Sequence, residues 1–177
     1  MRVFINPGHS YGGNPDPGAC GCGLRESDVA ASVGELVQKY LDAAGCTTEL
    51  LQSRHNSLSE LSSAANAWGA DVFVSIHCNS ADSSMAKGTE TFCFPYSKYG
   101  EILARCIQTQ IVSSLPVVDR GVKEANFHVL RETDMPACLV ELAFICSESD
   151  AEMLRTRQDA FARAIARGVT DYELATR

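Results

Sequence analysis

Two histidines and two glutamates in this sequence stand where they could do chemistry together. His9 follows a Pro-Gly pair, His77 ends an apolar run, Glu26 opens a helical pattern and Glu141 interrupts an apolar run. Two neutral imidazoles and one carboxylate form a catalytic zinc set in which water takes the fourth position. Bound zinc lowers the pKa of that water and polarises a carbonyl. The second carboxylate, not a ligand, would accept the water's proton and pass it to a departing amine.

Each of these residues also has an ordinary structural explanation. His77 could be a hydrogen-bonded core histidine, and His9 could be an exposed loop residue. Glu26 suits the first turn of a helix because the helix dipole favours acidic side chains there. Glu141 is the hardest to explain in this way, because an unpaired buried carboxylate is costly. The set of four is therefore more informative than any one member.

The elements that must position these residues alternate between strand-like apolar runs and helical patterns, which predicts an α/β fold. The predicted strands are Arg2–Asn6, Thr47–Leu51, Val72–His77, Gly88–Phe94 and Ala137–Ala143, with a short one at Phe127–Leu130. The predicted helices are Glu26–Ala44, Ser57–Trp68, Tyr99–Leu115, Ser149–Leu154 and Ala160–Tyr172. A Gly- and Pro-rich loop, Pro7–Gly23, joins the first strand to the first helix.

The positions of the four residues relative to the strands indicate one shared site. Ligands of open α/β sheets bind beyond the carboxyl ends of the strands. His9 lies just past the first strand, His77 closes a buried one, and Glu141 falls near the end of another. Glu26 returns to the same edge if the Gly-rich loop folds back over it. We therefore expect all four side chains at one edge of the sheet.

Composition excludes several functional classes. The chain has 15 basic and 22 acidic residues, a formal net charge of −7, and its basic residues are scattered, so we expect no nucleic-acid partner. No apolar run approaches the roughly 20 residues of a membrane span, so we expect no membrane partner. The N-terminus lacks the apolar core of a signal peptide, which needs about 7 to 15 residues. We expect synthesis in the cytoplasm, or a fragment whose signal has been removed; the oligomeric state stays open.

Other catalytic schemes find little support. The sequence has no G-x-S-x-G nucleophile elbow and no phosphate-binding G-x-x-x-x-G-K-[ST] loop. The glycines of the long loop run G-x-x-G-x-G, which is not the dinucleotide fingerprint. A cysteine nucleophile paired with His55 or His128 stays open, although no feature favours one.

Eight cysteines also need an interpretation. Cys46, Cys78, Cys93 and Cys138 lie in or beside apolar runs, where a free cysteine behaves as a small buried hydrophobe. Cys20 and the cysteine two residues later lie in the Gly-rich loop and lack the C-x₂-C spacing of structural zinc sites. Cys20 and Cys22 would therefore be surface thiols or a redox-sensitive pair.

Four segments of the sequence are VFINPGH at 3–9, GLRE at 23–26, SIHCN at 75–79 and LVELAF at 139–144. Together they resemble the zinc-dependent N-acetylmuramoyl-L-alanine amidases, the class found in cell-division amidases, spore-lysis enzymes and phage endolysins. The resemblance extends to Arg54, to AN at 65–66, to KGTET at 87–91 and to RGVK at 120–123. A single motif such as Pro-Gly-His is weak evidence, but these segments span nearly the whole chain in the family's order.

The resemblance implies a function for each residue of the site. His9, Glu26 and His77 would be the ligands of one Zn²⁺ per chain, and Glu141 would be the catalytic carboxylate. Residues 1–175 would form one catalytic domain, α/β in class, with a mixed, mostly parallel sheet of about six strands flanked by helices on both faces. The substrate would be peptidoglycan, cut at the amide between N-acetylmuramic acid and L-alanine. Substrate-binding residues remain unassigned.

The chain departs from the family in three places. No Asp follows Arg54 closely, and Ser62 replaces an Arg four residues before Asn66; both differences concern packing. Only eight residues separate Asn79 from Gly88, whereas cell-division amidases carry a long helical insertion there that blocks the metal site. We therefore expect an open site in an endolysin released by a membrane-permeabilising partner, or in the catalytic domain of a secreted autolysin. A wall-binding pseudoenzyme and a zinc peptidase of another α/β family are the alternatives.

Overall fold

A computed structural model describes residues 1–177, the whole chain. Its strands are β1 (Arg2–Pro7), β2 (Cys20–Gly21), β3 (Leu24–Arg25), β4 (Thr47–Leu50), β5 (Val72–Asn79), β6 (Thr89–Cys93), β7 (Asp119–Glu124) and β8 (Ala137–Phe144). Its helices are α1 (Glu26–Ala43), α2 (Leu58–Trp68), α3 (Lys98–Ser114), α4 (His128–Arg131), α5 (Glu148–Thr156) and α6 (Gln158–Thr176). The predicted α/β class is confirmed.

Six of the strands form one sheet in the order β4-β1-β5-β8-β6-β7. All neighbouring pairs are parallel except β6 and β8, which are antiparallel. The central strands β1, β5 and β8 are almost entirely buried, as expected for parallel strands covered on both faces. The predicted mixed, mostly parallel sheet of about six strands is confirmed.

Two helical layers of very different size cover the sheet. Alternate strand residues face opposite sides: Val3 and Ile5 pack into a core of 30 buried residues, whereas Phe4 packs into a second core of only 8. The larger core lies under α1, α3 and α6, and the smaller one lies under α2 and α4. Because the second layer is thin, it leaves part of its face of the sheet uncovered.

The structure corrects one predicted strand and adds three strands, β2, β3 and β7, that the sequence did not indicate. The segment Phe127–Leu130 is not a strand; most of it belongs to α4, whose first turn is closed by the amide of Arg131 donating to the carbonyl of Phe127 at 3.0 Å. Its apolar residues Val129 and Leu130 pack into the smaller core, which explains the misleading apolar run. Strand β7 was missed because it is an edge strand with a mostly polar sequence.

The long loop is also more ordered than its composition indicates. It contains a 3₁₀ turn at Tyr11–Gly13 and the two-stranded hairpin β2–β3. The loop folds back over the start of α1, where the amides of Glu26 and Ser27 donate to the carbonyls of Ala19 and Pro17. These bonds satisfy backbone donors that a helix N-terminus leaves without partners.

The cysteines are all free thiols. Cys78, Cys93 and Cys138 are buried, as predicted, whereas Cys46 is only half-buried. Cys20 is exposed and Cys22 is half-buried, so neither belongs to the core. None of the helices is both long enough and apolar enough to cross a membrane.

Candidate metal centre and catalytic cleft

Three of the four predicted site residues meet at one point. His9 lies in the loop after β1, Glu26 is the first residue of α1, and His77 lies near the C-terminal end of β5. One potential ligand atom from each residue lies within 4.8 Å of the others. The sheet and the folded-back loop thus bring together residues that are up to 68 positions apart in the chain (77 − 9 = 68).

Glu26 forms the middle of this cluster. Its Oε2 lies 2.9 Å from Nε2 of His9, and its Oε1 lies 2.9 Å from Nδ1 of His77. The same two oxygens accept the backbone amides of Ala19, at 2.8 Å, and Cys78, at 3.0 Å. Burial by itself raises the pKa of Glu26, but the contacts with both histidines outweigh it and hold that pKa well below its usual range. Glu26 is therefore a fixed carboxylate.

A second carboxylate orients His9. Asp16 Oδ2 lies 2.8 Å from Nδ1 of His9, and Asp16 Oδ1 accepts the amide of Gly18 at 2.9 Å. Burial lowers the pKa of His9, but Glu26 and Asp16 together raise it to about 9. A proton on Nδ1 directed at Asp16 leaves the lone pair of Nε2 for a metal ion. A metal ion bound there would displace the second proton of the imidazolium.

Two glycines leave room for the cluster. A Cβ at Gly8 would lie 2.3 Å from the ring of His77. A Cβ at Gly18 would lie 2.5 Å from the ring of His9 and 2.7 Å from Oε2 of Glu26, and the φ of Gly18 is +69°. The backbone therefore approaches the imidazoles more closely than any side chain would permit. The donor set of two imidazole nitrogens and a carboxylate, tightly enclosed, suits Zn²⁺.

Glu141 lies beside this cluster but is not part of it. It is opposite His77 in the register of β5 and β8, and opposite Glu90 in that of β6 and β8. Its Oε2 is buried and has no hydrogen-bond partner in the protein. Burial raises the pKa of Glu141 to about 7, and the neighbouring carboxylates of Glu26 and Glu90 act in the same direction. A carboxyl group in this state can both accept and donate a proton near neutral pH.

These residues open into a cleft on the thinly covered face of the sheet. The cavity has a volume of about 290 Å³. Its lining residues are Asn6, Gly8, His9, Asp16, Asn56, Leu58, Leu61, His77, Phe127, His128, Val129, Leu139 and Glu141. No cysteine lines it, and burial raises the pKa of the nearby Cys78 thiol well above its usual value. The cleft therefore offers no partner for a cysteine–histidine scheme with His128, and His55 lies outside it.

The family model of the N-acetylmuramoyl-L-alanine amidases (Amidase_3) matches residues 3–171. The chain belongs to this amidase family. The N-acetylmuramoyl-L-alanine amidase AmiC2 of Nostoc punctiforme is among the similar solved structures, with a TM-score of 0.90, 33% identity and coverage of 98% of this chain and 97% of that one.

Curated relatives of this amidase chain include proteins of different origins. The sporulation-specific N-acetylmuramoyl-L-alanine amidase of Bacillus subtilis is 38% identical over 173 residues, which cover 95% of this chain and 65% of the relative. The endolysin of Bacillus phage SPP1 is 32% identical over 176 residues, which cover 94% of this chain and 62% of the endolysin. The chain thus spans slightly less than two thirds of the length of both relatives.

Two residues in and beside this site, Asp16 and Glu90, were not assigned from the sequence. Asp16 gave a signal only as an acidic residue within the Gly-rich loop. Glu90 lies in one of the segments that resemble the family but received no role. Its carboxylate accepts Arg120 Nε at 2.8 Å and Asn79 Nδ2 at 2.6 Å, and it also pairs with Lys123. Burial raises the pKa of Glu90, but these two cations lower it overall.

Proposed function

We propose that this chain is a zinc-dependent amidase that cleaves the amide bond between N-acetylmuramic acid and L-alanine in peptidoglycan. Residues 1–175 would form its catalytic domain. The observation that carries the proposal is the cluster of His9, Glu26 and His77 beside Glu141, whose Oε2 is buried without a partner, in a chain that belongs to this amidase family.

One Zn²⁺ per chain would be held by His9 through Nε2, by His77 through Nδ1 and by the carboxylate of Glu26. These are the atoms that converge in the cluster. Asp16 supports the arrangement because it fixes the orientation of the His9 ring. When bound, zinc supplies a Lewis acid that polarises the amide carbonyl and acidifies a water molecule.

Glu141 would be the proton carrier of the reaction. With a pKa near 7, it accepts a proton from the attacking water and returns it to the nitrogen of L-alanine as the amide breaks. Glu26 cannot take this role in the same geometry, because both of its oxygens are already bound to imidazoles and backbone amides.

The site of action would be the bacterial cell wall. The chain's relatives include a sporulation amidase and a phage endolysin, and both kinds of enzyme support this location. We propose that the chain serves either as an endolysin released by a membrane-permeabilising partner or as the catalytic part of a secreted autolysin.

The reaction is tested by identifying the end groups released from purified peptidoglycan. We expect a new lactyl carboxyl on muramic acid and a free amine on L-alanine. A cut within the peptide would identify a peptidase instead, and no new end group would identify a wall-binding pseudoenzyme. Metal analysis of the same preparation should give about one zinc per chain.

The metal ligands are tested with histidine variants. His9→Ala and His77→Ala should each lose most of the zinc and the activity, because two remaining ligands hold zinc poorly. His55→Ala is the matched control, since His55 is exposed and outside the cleft. Retention of zinc by both ligand variants would contradict the assigned site.

A further inference from the structure

One polar side chain of the cleft has no use in the metal site or in the fold. Asn6 donates to the carbonyls of Pro7 and Leu51, and Asn56 donates to Asp16, which itself holds His9. The remaining polar lining residue outside the proposed catalytic set is His128. Its nearest polar contact is Nε2 to the hydroxyl of Ser62 at 3.5 Å, the outer limit of a hydrogen bond.

The contact between His128 and Ser62 does little to hold the ring. The hydroxyl of Ser62 also lies 3.3 Å from the carbonyls of Leu58 and Ser59 in its own helix, where it can donate its proton. Ser62 is a small side chain, and the ring of His128 lines the cleft beside it. The half-buried His128 is therefore free to bind a group that enters the cleft.

The surroundings of His128 indicate what that group is attached to. The wall that α2 and α4 build on either side of it is apolar and includes Leu58 and Phe127, which are 45% and 39% exposed. Sugar hydroxyls would lose hydrogen bonds to water against this wall, whereas the methyl group of an alanine would not. We therefore place the peptide side of the substrate, and not the glycan side, along α2 and α4.

The charges around the cleft favour an acceptor group as the partner of His128. Asp16 and Glu141 present carboxyl groups to the cleft, and a carboxylate can only accept hydrogen bonds, so an acceptor group of the substrate must find its donor elsewhere. Arg120 and Lys123 are both paired with Glu90 and do not line the cleft. Asn56 has a second amide N–H but is tied to Asp16 beside the metal ligands, so His128 is the lining donor that lies away from the metal cluster.

We propose that His128 is a specificity-determining residue that binds the carboxyl group carried by the second residue of the stem peptide. This residue follows the L-alanine whose amide bond is cut, and it carries either a free carboxyl group or the corresponding amide. The inference rests on the proposed function, because it requires a muramoyl peptide in the cleft. It adds a contact that recognises the peptide rather than one that performs the cleavage.

The test measures binding to zinc-loaded Glu141→Gln protein, which would bind substrate without cutting it. The ligands are muramoyl-L-alanyl-D-glutamate, its amidated form and the shorter muramoyl-L-alanine. The affinity of each is measured by calorimetry. Adding His128→Ala should weaken binding of the dipeptide about tenfold more than binding of muramoyl-L-alanine, the usual effect of losing a hydrogen bond to a charged group. His128→Gln, which retains an N–H donor, should restore part of the loss, and His55→Ala should change neither ligand. A larger loss for the free acid than for the amide would show that charge contributes.

Several outcomes would overturn the inference. Equal losses for the dipeptide and for muramoyl-L-alanine would make His128 a structural residue, and no loss for either ligand would remove it from the site. In protein with Glu141 intact, we expect KM for the dipeptide to rise while kcat is kept; a fall in kcat alone would indicate proton transfer instead. The end groups released from cell walls report separately on the proposed function, so that a failure of His128 leaves the amidase assignment standing.

Discussion

Glu26 and Glu141 have the same side chain but opposite pKa shifts, although Glu26 is buried and Glu141 also has its Oε2 shielded from solvent. Glu26 receives two imidazoles and two backbone amides, which stabilise its charge. Glu141 Oε2 receives no donor from the protein, so burial favours its neutral form. Environment therefore separates a metal-binding carboxylate from a proton-transferring one, a pattern common in enzyme sites.

The two roles predict different effects of the same substitution. Glu141→Gln should keep its zinc and lower kcat by about 10²- to 10⁴-fold, because glutamine preserves shape but cannot carry a proton. Glu26→Gln is the matched comparison and should lose zinc, since it replaces a charged ligand with a neutral amide. Zinc content and turnover measured on both variants decide the assignment. Metal loss from Glu141→Gln with retention by Glu26→Gln would reverse the two roles.

The raised pKa of Glu141 also predicts a pH effect on the stability of the metal-free protein. Its pKa is about 7 when folded and 4.5 as the ordinary value, so the folded state holds a proton that the unfolded state has lost between these pH values. The free energy of unfolding therefore falls as pH rises from about 4.5 to about 7, by up to about 3 kcal/mol from this group.

This effect is measured as a difference between two proteins. We expect Glu141→Gln to gain stability over the wild type as pH rises through that window, and to show no further relative gain above it. Urea unfolding with chelator present checks this, and the titration of other groups cancels largely in the comparison. A stability difference that stays constant from pH 4.5 to pH 8 would contradict the pKa shift.

At the scale of elements, the loop between β1 and α1 determines whether the metal site exists. It carries His9 in a left-handed conformation, with a φ of 64°, and it places Asp16 and the amide of Ala19 against two ligands. Its glycines are not equivalent. Gly18 contacts the ligands, whereas Gly23 has a similar positive φ and no neighbour within 4 Å of an added Cβ.

This difference predicts the outcome of two alanine substitutions. Gly18→Ala and Gly23→Ala should both cost about 1 kcal/mol of stability, because each places an L side chain at positive φ. Only Gly18→Ala should weaken zinc binding, since its Cβ would displace His9 and Glu26. Competition with a chelator measures the affinity of each variant. Equal zinc affinities would show that the loop can move aside without disturbing the ligands.

At the scale of the whole molecule, the cleft lies on the thinly covered face of the sheet, where α2 and α4 form its wall. The eight residues between Asn79 and Gly88 form no helix, and none of them lines the cleft. This agrees with the prediction from the sequence that the span is too short for a plug.

We therefore predict that the 177-residue chain is active without a regulatory partner. Purified zinc-loaded protein should release amine ends from isolated cell walls by itself, at a rate proportional to its concentration. The Glu141→Gln protein is the control for contaminating hydrolases. A strict requirement for a second protein would contradict the prediction.

The sequence by itself indicated the α/β class and the residues that meet in the site. This was possible because the signals are local: strand-like runs alternate with helical periodicity, and a polar residue such as Glu141 within an apolar run is costly unless it has a use. The resemblance to the amidases added the substrate. The roles of the four residues stay predictions, although the structure places three of them in one cluster and Glu141 beside it.

Other features depended on contacts between distant segments, and only the tertiary structure decided them. The sequence predicted a strand at Phe127–Leu130 because Val129 and Leu130 are apolar, but packing against the smaller core accommodates them in a helix. Edge strand β7 escaped notice because exposure permits a polar sequence. Asp16 and His128 acquire meaning only from neighbours that lie 7 and 66 residues away in the chain. Periodicity reports which face of an element is buried, whereas the partner of that face is set by the fold.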